Sequence, residues 1–217
     1  LQNDNTSLLV AEQMQAQTLQ DGSIVTLNSQ SELSYPEEFS DKDKREVSLT
    51  GEAFFEVERN PTKPFIIYTP TIQIEVLGTS FSVRSREEEK TSTVIVASGS
   101  VEVQGKNNTV VLKINEKAIF DKETGRLFKV VNDDPNYLSW KTKRFTFDDT
   151  PLHEVVKNLS NAHQTRIQLI TKSIDNCPVT VSFDGQSLQA ILEILSATLD
   201  LTIEKTTAGF EISGQGC

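Results

Sequence analysis

From residue 7 to residue 131, apolar and polar side chains alternate in short runs separated by turn-forming residues. Ile24-Val25-Thr26-Leu27 follows Asp21-Gly22, and Glu32-Leu33-Ser34-Tyr35 ends at Pro36. Val47-Ser48-Leu49 leads through Gly51 into Ala53-Phe54-Phe55-Glu56-Val57. Phe65 to Tyr68, Ile72 to Val76, Phe81 to Val83, Thr93 to Val96, Val101 to Val103, Val110 to Leu112 and Ala118 to Phe120 continue the series. A period of two sends successive side chains to opposite faces of a strand. No window of this half sustains the i, i+3, i+4, i+7 spacing of a helix, so residues 1–134 are predicted to form an all-β domain. Gly51, Gly78 and Gly99 each precede a short alternating run, at spacings of 27 and 21 residues. That loose repeat predicts a roll or solenoid-like stack rather than a sandwich.

Asn132-Asp133-Asp134-Pro135-Asn136 is a dense breaker cluster and sets a domain boundary before residue 137. Beyond it, over 137–217, the sequence repeats itself at an offset of 36 residues. Phe147-Asp148 matches Phe183-Asp184, Leu152 matches Leu188, and Leu159-Ser160 matches Leu195-Ser196. Each copy reads strand, helix, strand. Helices are predicted near 151–162 and 187–197, the first with Thr150 as N-cap and Pro151 at its first position. Leu152, Val155, Val156, Leu159 and Ala162 form one apolar stripe, and Leu188, Ile191, Leu192 and Leu195 repeat it. Thr206-Thr207-Ala208-Gly209 then turns into a last strand, Phe210 to Ile212. The fold class is α+β with two domains: an all-β roll, then a small βαβ-βαββ domain with two helices on one sheet.

The formal charge is −10, divided as −6 over residues 1–132 and −4 over residues 133–217. With no basic stripe, the counterion release that drives nucleic-acid binding is missing, and anionic membrane surfaces are disfavoured. The mixed runs Asp41-Lys42-Asp43-Lys44-Arg45 and Arg86-Glu87-Glu88-Glu89-Lys90 read as solvated turns. No stretch approaches the roughly 18 apolar residues of a membrane span, and Leu8-Leu9-Val10-Ala11 is too short for one. A membrane anchor, if the natural protein has one, lies outside this sequence. Cys177 and Cys217 fit no zinc spacing, and the residues leave open whether they pair.

Little in the sequence points to chemistry. His153 and His163 stand about 80° apart around an ideal helix and do not converge on a metal or a substrate. Asp133-Asp134 and Asp148-Asp149 read as turn and helix-corner residues, since Asp148 recurs as Asp184. No nucleophile elbow, phosphate loop, dinucleotide fingerprint or zinc-helix motif occurs. Asn5-Thr6-Ser7, Asn107-Asn108-Thr109 and Asn158-Leu159-Ser160 match the glycosylation pattern, which is common by chance. No enzyme activity, metal or cofactor is expected. Trp140, the only tryptophan, is read as packing the seam between the domains.

Leu19-Gln20-Asp21-Gly22-Ser23, Val25-Thr26-Leu27-Asn28, Ser31, Leu33 and Tyr35-Pro36 open a longer pattern. It runs on through Arg45, Val47, Leu49, Gly51-Glu52-Ala53-Phe54-Phe55-Glu56-Val57 and Lys63-Pro64-Phe65 to Val76-Leu77-Gly78-Thr79-Ser80-Phe81-Ser82-Val83. These residues resemble FecR-type anti-sigma regulators. The tail, with Trp140, Phe147, Pro151-Leu152, Val155 and Leu159, is similar to the C-terminal domain of such regulators in Bacteroidetes, which looks like the short N-terminal domain of secretins and TonB-dependent receptors. The resemblance covers roughly residues 15 to 213, with Gln20 standing where many relatives have proline. It implies a periplasmic sensor held in the inner membrane by an anchor outside this sequence. The implied partners are the N-terminal signalling domain of a TonB-dependent outer-membrane transporter and, through a missing cytoplasmic region, an extracytoplasmic-function sigma factor.

Two readings follow. The first is a signal-relay binding module. The second is a carbohydrate- or surface-binding β protein, opposed by the single Trp and by Phe residues at alternating core positions. For the first, the docking edge is expected at the last strand, Phe210-Glu211-Ile212-Ser213, with Phe210 and Ile212 toward the helices and Glu211 outward. The groove near Trp140 is the other expected docking place.

Overall fold

A computed structural model of the chain describes residues 6–39 and 43–217. Asn5 of the first glycosylation pattern and Asp41-Lys42 of the mixed charge run lie outside the described residues. The chain divides into two compact units, Leu1–Asp133 and Asp134–Cys217.

The first unit is built around one long strand. β1 (Thr6–Ala11), β2 (Gln15–Thr18), β3 (Ile24–Leu27) and β4 (Ser31–Pro36) lead into β5, Arg45–Glu56. Its first half pairs with β4 and, in parallel, with β6 (Phe65–Tyr68). Its second half pairs with β3 and with β8 (Ser80–Ser85). The strand changes sheet at Gly51, whose φ is +107° and where a Cβ would lie 2.7 Å from the Ser31 Cα. Only glycine fits such a corner. The two runs read from the sequence, Val47–Leu49 and Ala53–Val57, are therefore one strand.

On one side β7 (Gln73–Val76), β10 (Ser100–Gln104) and β11 (Thr109–Lys113) extend the sheet beyond β6, and β1 extends it beyond β4. On the other, β9 (Thr91–Ser98), β12 (Glu116–Asp121) and β13 (Leu127–Val131) extend it beyond β8. Val47, Leu49, Phe65, Ile74 and Val101 from the first side share one core with Val25, Phe55, Phe81, Val94 and Phe120 from the second. Phe55 stacks on Phe81 with ring centroids 5.3 Å apart.

The all-β reading holds, but the solenoid-like reading does not. A solenoid stacks parallel coils, whereas among the described residues of this unit every strand pairing except β5–β6 is antiparallel. The glycine before Ala53 turns a strand from one sheet into the other and does not close a repeating coil.

In the second unit a four-residue helix, α1 (Ser139–Thr142), precedes β14 (Arg144–Pro151). Then come α2 (Leu152–His163), β15 (Arg166–Leu169), a 3-10 turn at Lys172–Ile174, β16 (Pro178–Asp184), α3 (Leu188–Leu199), β17 (Thr202–Thr206) and β18 (Gly209–Ser213). Both long helices bury the stripe read from the sequence, Leu152, Val155, Val156, Leu159 and Ala162 in α2 and Ile191, Leu192 and Leu195 in α3, except for Leu188, which is half-buried at the start of α3.

Two local expectations are corrected, and one element is added. The helix after Thr150 starts one residue later, because β14 runs on to Pro151, which pairs with Pro178 and becomes the N-cap with ψ at 138°. The Thr150 hydroxyl instead binds the backbone of Asp148. The two helices do not share one sheet: β14 and β16 pair alone, and β15, β18 and β17 form a separate three-stranded sheet. Finally, α1 was not foreseen, since four residues are too few to display a helical period.

Candidate functional site

The C-terminal sheet decides where a partner strand could add. In an open sheet only the outer strands carry unpaired backbone groups. β18 lies in the middle, parallel to β15 on one side and antiparallel to β17 on the other. Phe210-Glu211-Ile212-Ser213 is therefore paired on both edges and cannot receive a further strand. A tight turn suggested the chain's last strand would be an edge, but β18 returns between two strands laid down earlier. The expected facing is kept in part: Ile212 is fully buried, while Phe210 and Glu211 are both half-buried.

The open edges differ. β14 is partly covered, because the Asn136 side chain accepts from the Thr146 N–H at 2.8 Å and donates to the Thr146 carbonyl at 2.9 Å. One amide thus fills the place of a strand residue there. β17 pairs only with β18 and has a clear outer side in this sheet. Its hairpin to β18 has a two-residue loop closed by the Thr206–Gly209 pair. In such hairpins the closing pair is hydrogen-bonded and the next is not. Counting back, Glu204 faces β18 with its backbone, while Ile203 and Lys205 turn their N–H and C=O groups to the open edge.

Trp140 is 5% exposed, so it offers no stacking platform. Nearby, Phe145 stacks on Phe147 at 6.0 Å and on His163 at 5.9 Å. Desolvation lowers the His163 pKa, and the Lys143 ammonium lowers it further. Desolvation also lowers the Lys143 pKa, and its ammonium donates to the Ala162 carbonyl.

Two charge networks in the first unit were missed by reading the mixed runs as solvated turns. Arg45 is 2% exposed, donates to Asp21 Oδ2 at 2.6 Å and to the carbonyls of Lys63 and Glu58 at 2.9 Å each, and lies over the Phe65 ring. The signal was present: Arg45 stands in register with the inward residues Val47 and Leu49. Glu52, 4% exposed, accepts from Arg84 Nη1 and Asn28 Nδ2, both at 2.9 Å, with Arg86 Nη2 at 3.7 Å. Burial opposes the charge on Arg84, but Glu89 and Glu52 outweigh it and raise its pKa. Removing one member of such a buried set leaves an unpaired charge. Both networks brace turns. A shallow cavity of about 190 Å³ lies beside Arg86, lined also by Gln30, Thr50, Gly51, Glu87 and Glu88.

Cys177 and Cys217 form a disulfide with Cα atoms 5.6 Å apart. A cysteine at the end of this sequence is thus a working staple: it fastens the segment after β18 to the residue before β16. Among the described residues no group of three or more His, Cys, Asp or Glu could hold a metal ion, and no helix is long and apolar enough to cross a membrane.

The model of the FecR protein family matches residues 8–102, and that of the FecR C-terminal region matches residues 144–209. The chain belongs to the FecR family. It is also similar to two crystal structures of candidate anti-sigma factors from Parabacteroides distasonis ATCC 8503. The first, at 2.50 Å resolution, is 28% identical with a TM-score of 0.75, and the match covers 98% of this chain and 100% of that one. The second, at 1.65 Å, is 29% identical with a TM-score of 0.73, covering 97% of this chain and 99% of that one. No curated protein matches this FecR-family chain.

Proposed function

We propose that this chain is the periplasmic sensor region of an anti-sigma regulator. Its C-terminal unit receives the N-terminal signalling domain of a TonB-dependent outer-membrane transporter. Transporter occupancy then passes through an anchor and a cytoplasmic segment outside this sequence to an extracytoplasmic-function sigma factor. The observation that carries the reading is the match, over nearly the whole of both chains, to candidate anti-sigma factors. The disulfide fits an oxidising compartment such as the periplasm. Unpaired backbone on a small sheet fits a protein partner that adds a strand.

Within this reading the recognition edge moves from Phe210–Ser213 to β17, and β18 backs it. Trp140 supports the unit from inside. Isothermal titration of the full chain with the purified signalling domain of a transporter from the same organism tests the proposal. Saturable one-to-one binding supports it. No heat and no co-migration with any such domain of that organism would overturn the transporter as partner.

A further inference from the structure

On the face of the C-terminal sheet away from Ile212, one row of side chains runs across all three strands: Gln168 on β15, Glu211 on β18 and Glu204 on β17. Glu204 and Glu211 are direct cross-strand partners. Directly opposed residues have Cβ atoms roughly 5 Å apart, and like charges at that spacing destabilise a sheet. Neither carboxylate has a hydrogen-bond or ion-pair partner among the described residues. Glu204 is exposed and ends the row at the open edge. The row is thus a sheet continued as far as β17, with a negative pair left without compensation where the next strand would lie.

We infer that the strand which adds to β17 carries a lysine or arginine opposite Glu204. Such a residue extends the row to Gln168, Glu211, Glu204 and a cation, and turns a repulsive pair into an alternating one. The backbone geometry fits the same register. Ile203 and Lys205 offer the outward N–H and C=O groups, so the incoming strand bonds on both sides of Glu204 and brings its opposing side chain closest there. The other outer strand, β15, ends the row in the neutral Gln168 and makes no such demand. A second copy of this chain, with its net charge of −10, is a poor occupant. The inference rests on the transporter reading for the identity of the partner, and it adds the edge, the register and the charge.

The test uses the full chain and the transporter signalling domain, with Glu204→Lys, Glu204→Gln, Lys205→Pro and the distant surface variant Glu123→Lys. Glu204→Lys should raise Tm by about 1–4 °C, because it pairs with Glu211 in the free protein. The same variant should weaken partner binding at least tenfold at low salt. Glu204→Gln should weaken it about threefold, and Glu123→Lys should leave it unchanged. A purely structural role for Glu204 would move Tm without moving affinity in the opposite sense. Lys205→Pro removes one outward N–H and should abolish binding in a folded protein. Loss of binding in Lys205→Pro with unchanged or tighter binding in Glu204→Lys would keep the edge and overturn the basic partner. Unchanged binding in both variants would overturn the edge while leaving the transporter reading standing. Absence of binding by the wild-type chain would overturn both. A wild-type dimer in sedimentation that Lys205→Pro dissolves would assign the edge to a second copy and overturn the inference.

Discussion

The two copies in the C-terminal unit carry one helix frame but close it differently. α2 and α3 begin and end at the same 36-residue offset, and each stops on a left-handed residue, Gln164 and Asp200. Even the final hydroxyl repeats: Ser160 Oγ donates to the Thr165 carbonyl and Ser196 Oγ to the Leu201 carbonyl, both at 2.6 Å. The entries differ. The first copy kinks at Asp149, with φ at +48° and a register shift between Phe147 and Thr150, and its helix has no side-chain cap. The second enters by the regular strand β16, and Ser187 Oγ caps α3 by accepting from the Ala190 N–H. The second copy also lies inside the loop closed by Cys177 and Cys217, while the first lies outside it. Duplicated residues therefore set the helices and their apolar stripes, and unduplicated ones set the caps, the staple and the edge.

Reduction should break the comparison most strongly. A disulfide closing a loop of about 40 residues stabilises by about 2–4 kcal/mol, mainly through the unfolded chain. Melting of the chain with and without reductant, and of Cys217→Ser, should show that loss. Hydrogen exchange should then rise more in α3, β17 and β18 than in α2.

The cap gives a smaller effect. Ser187→Ala should cost about 1 kcal/mol, measured by urea denaturation. Asp148→Ala and Asp184→Ala, expected from the sequence to weaken helix corners, should each cost less than about 0.5 kcal/mol. Asp184 makes an exposed pair with Arg144, and such pairs contribute little.

The smallest effect depends on pH. His163 ends α2 where Leu199 ends α3, and its pKa is lowered by desolvation and by Lys143. Below the ordinary value near 6.5 the unfolded chain takes up a proton that the folded chain resists, so stability falls as pH drops through that window. The groups on the elements packed against α2 are Lys141 and Lys143, Arg144, Asp148 and Asp149, Arg166, and Asp184, and of these Lys143 acts on the ring. His163→Leu should flatten stability between pH 5 and pH 7 in denaturation titrations, making the copies alike.

Much of this was legible in the residues. Alternation marks β3 to β12 of the first unit but not β1, β2 or β13, and the 36-residue repeat marks both helices within two residues of their ends. Strand order was not legible, because pairing depends on contacts between residues far apart in sequence. Hence the residues do not show that the C-terminal strands form two sheets or that β18 lies inside one of them. Arg45 was misjudged for a different reason. Its charge suggested solvent, although its place in the alternation with Val47 and Leu49 pointed inward. The disulfide and the Asn136 clamp on β14 leave no periodic trace at all.

If β17, the edge strand of the second copy, receives the partner, its outward backbone groups become protected on binding. Hydrogen–deuterium exchange of the full chain, alone and saturated with the transporter signalling domain, tests it directly. New protection is expected at the outward amides of Ile203 and Lys205, with the amides of Arg166–Leu169 in the first copy unchanged. Protection confined to β15, or to the first unit, with β17 still exchanging freely, would contradict it.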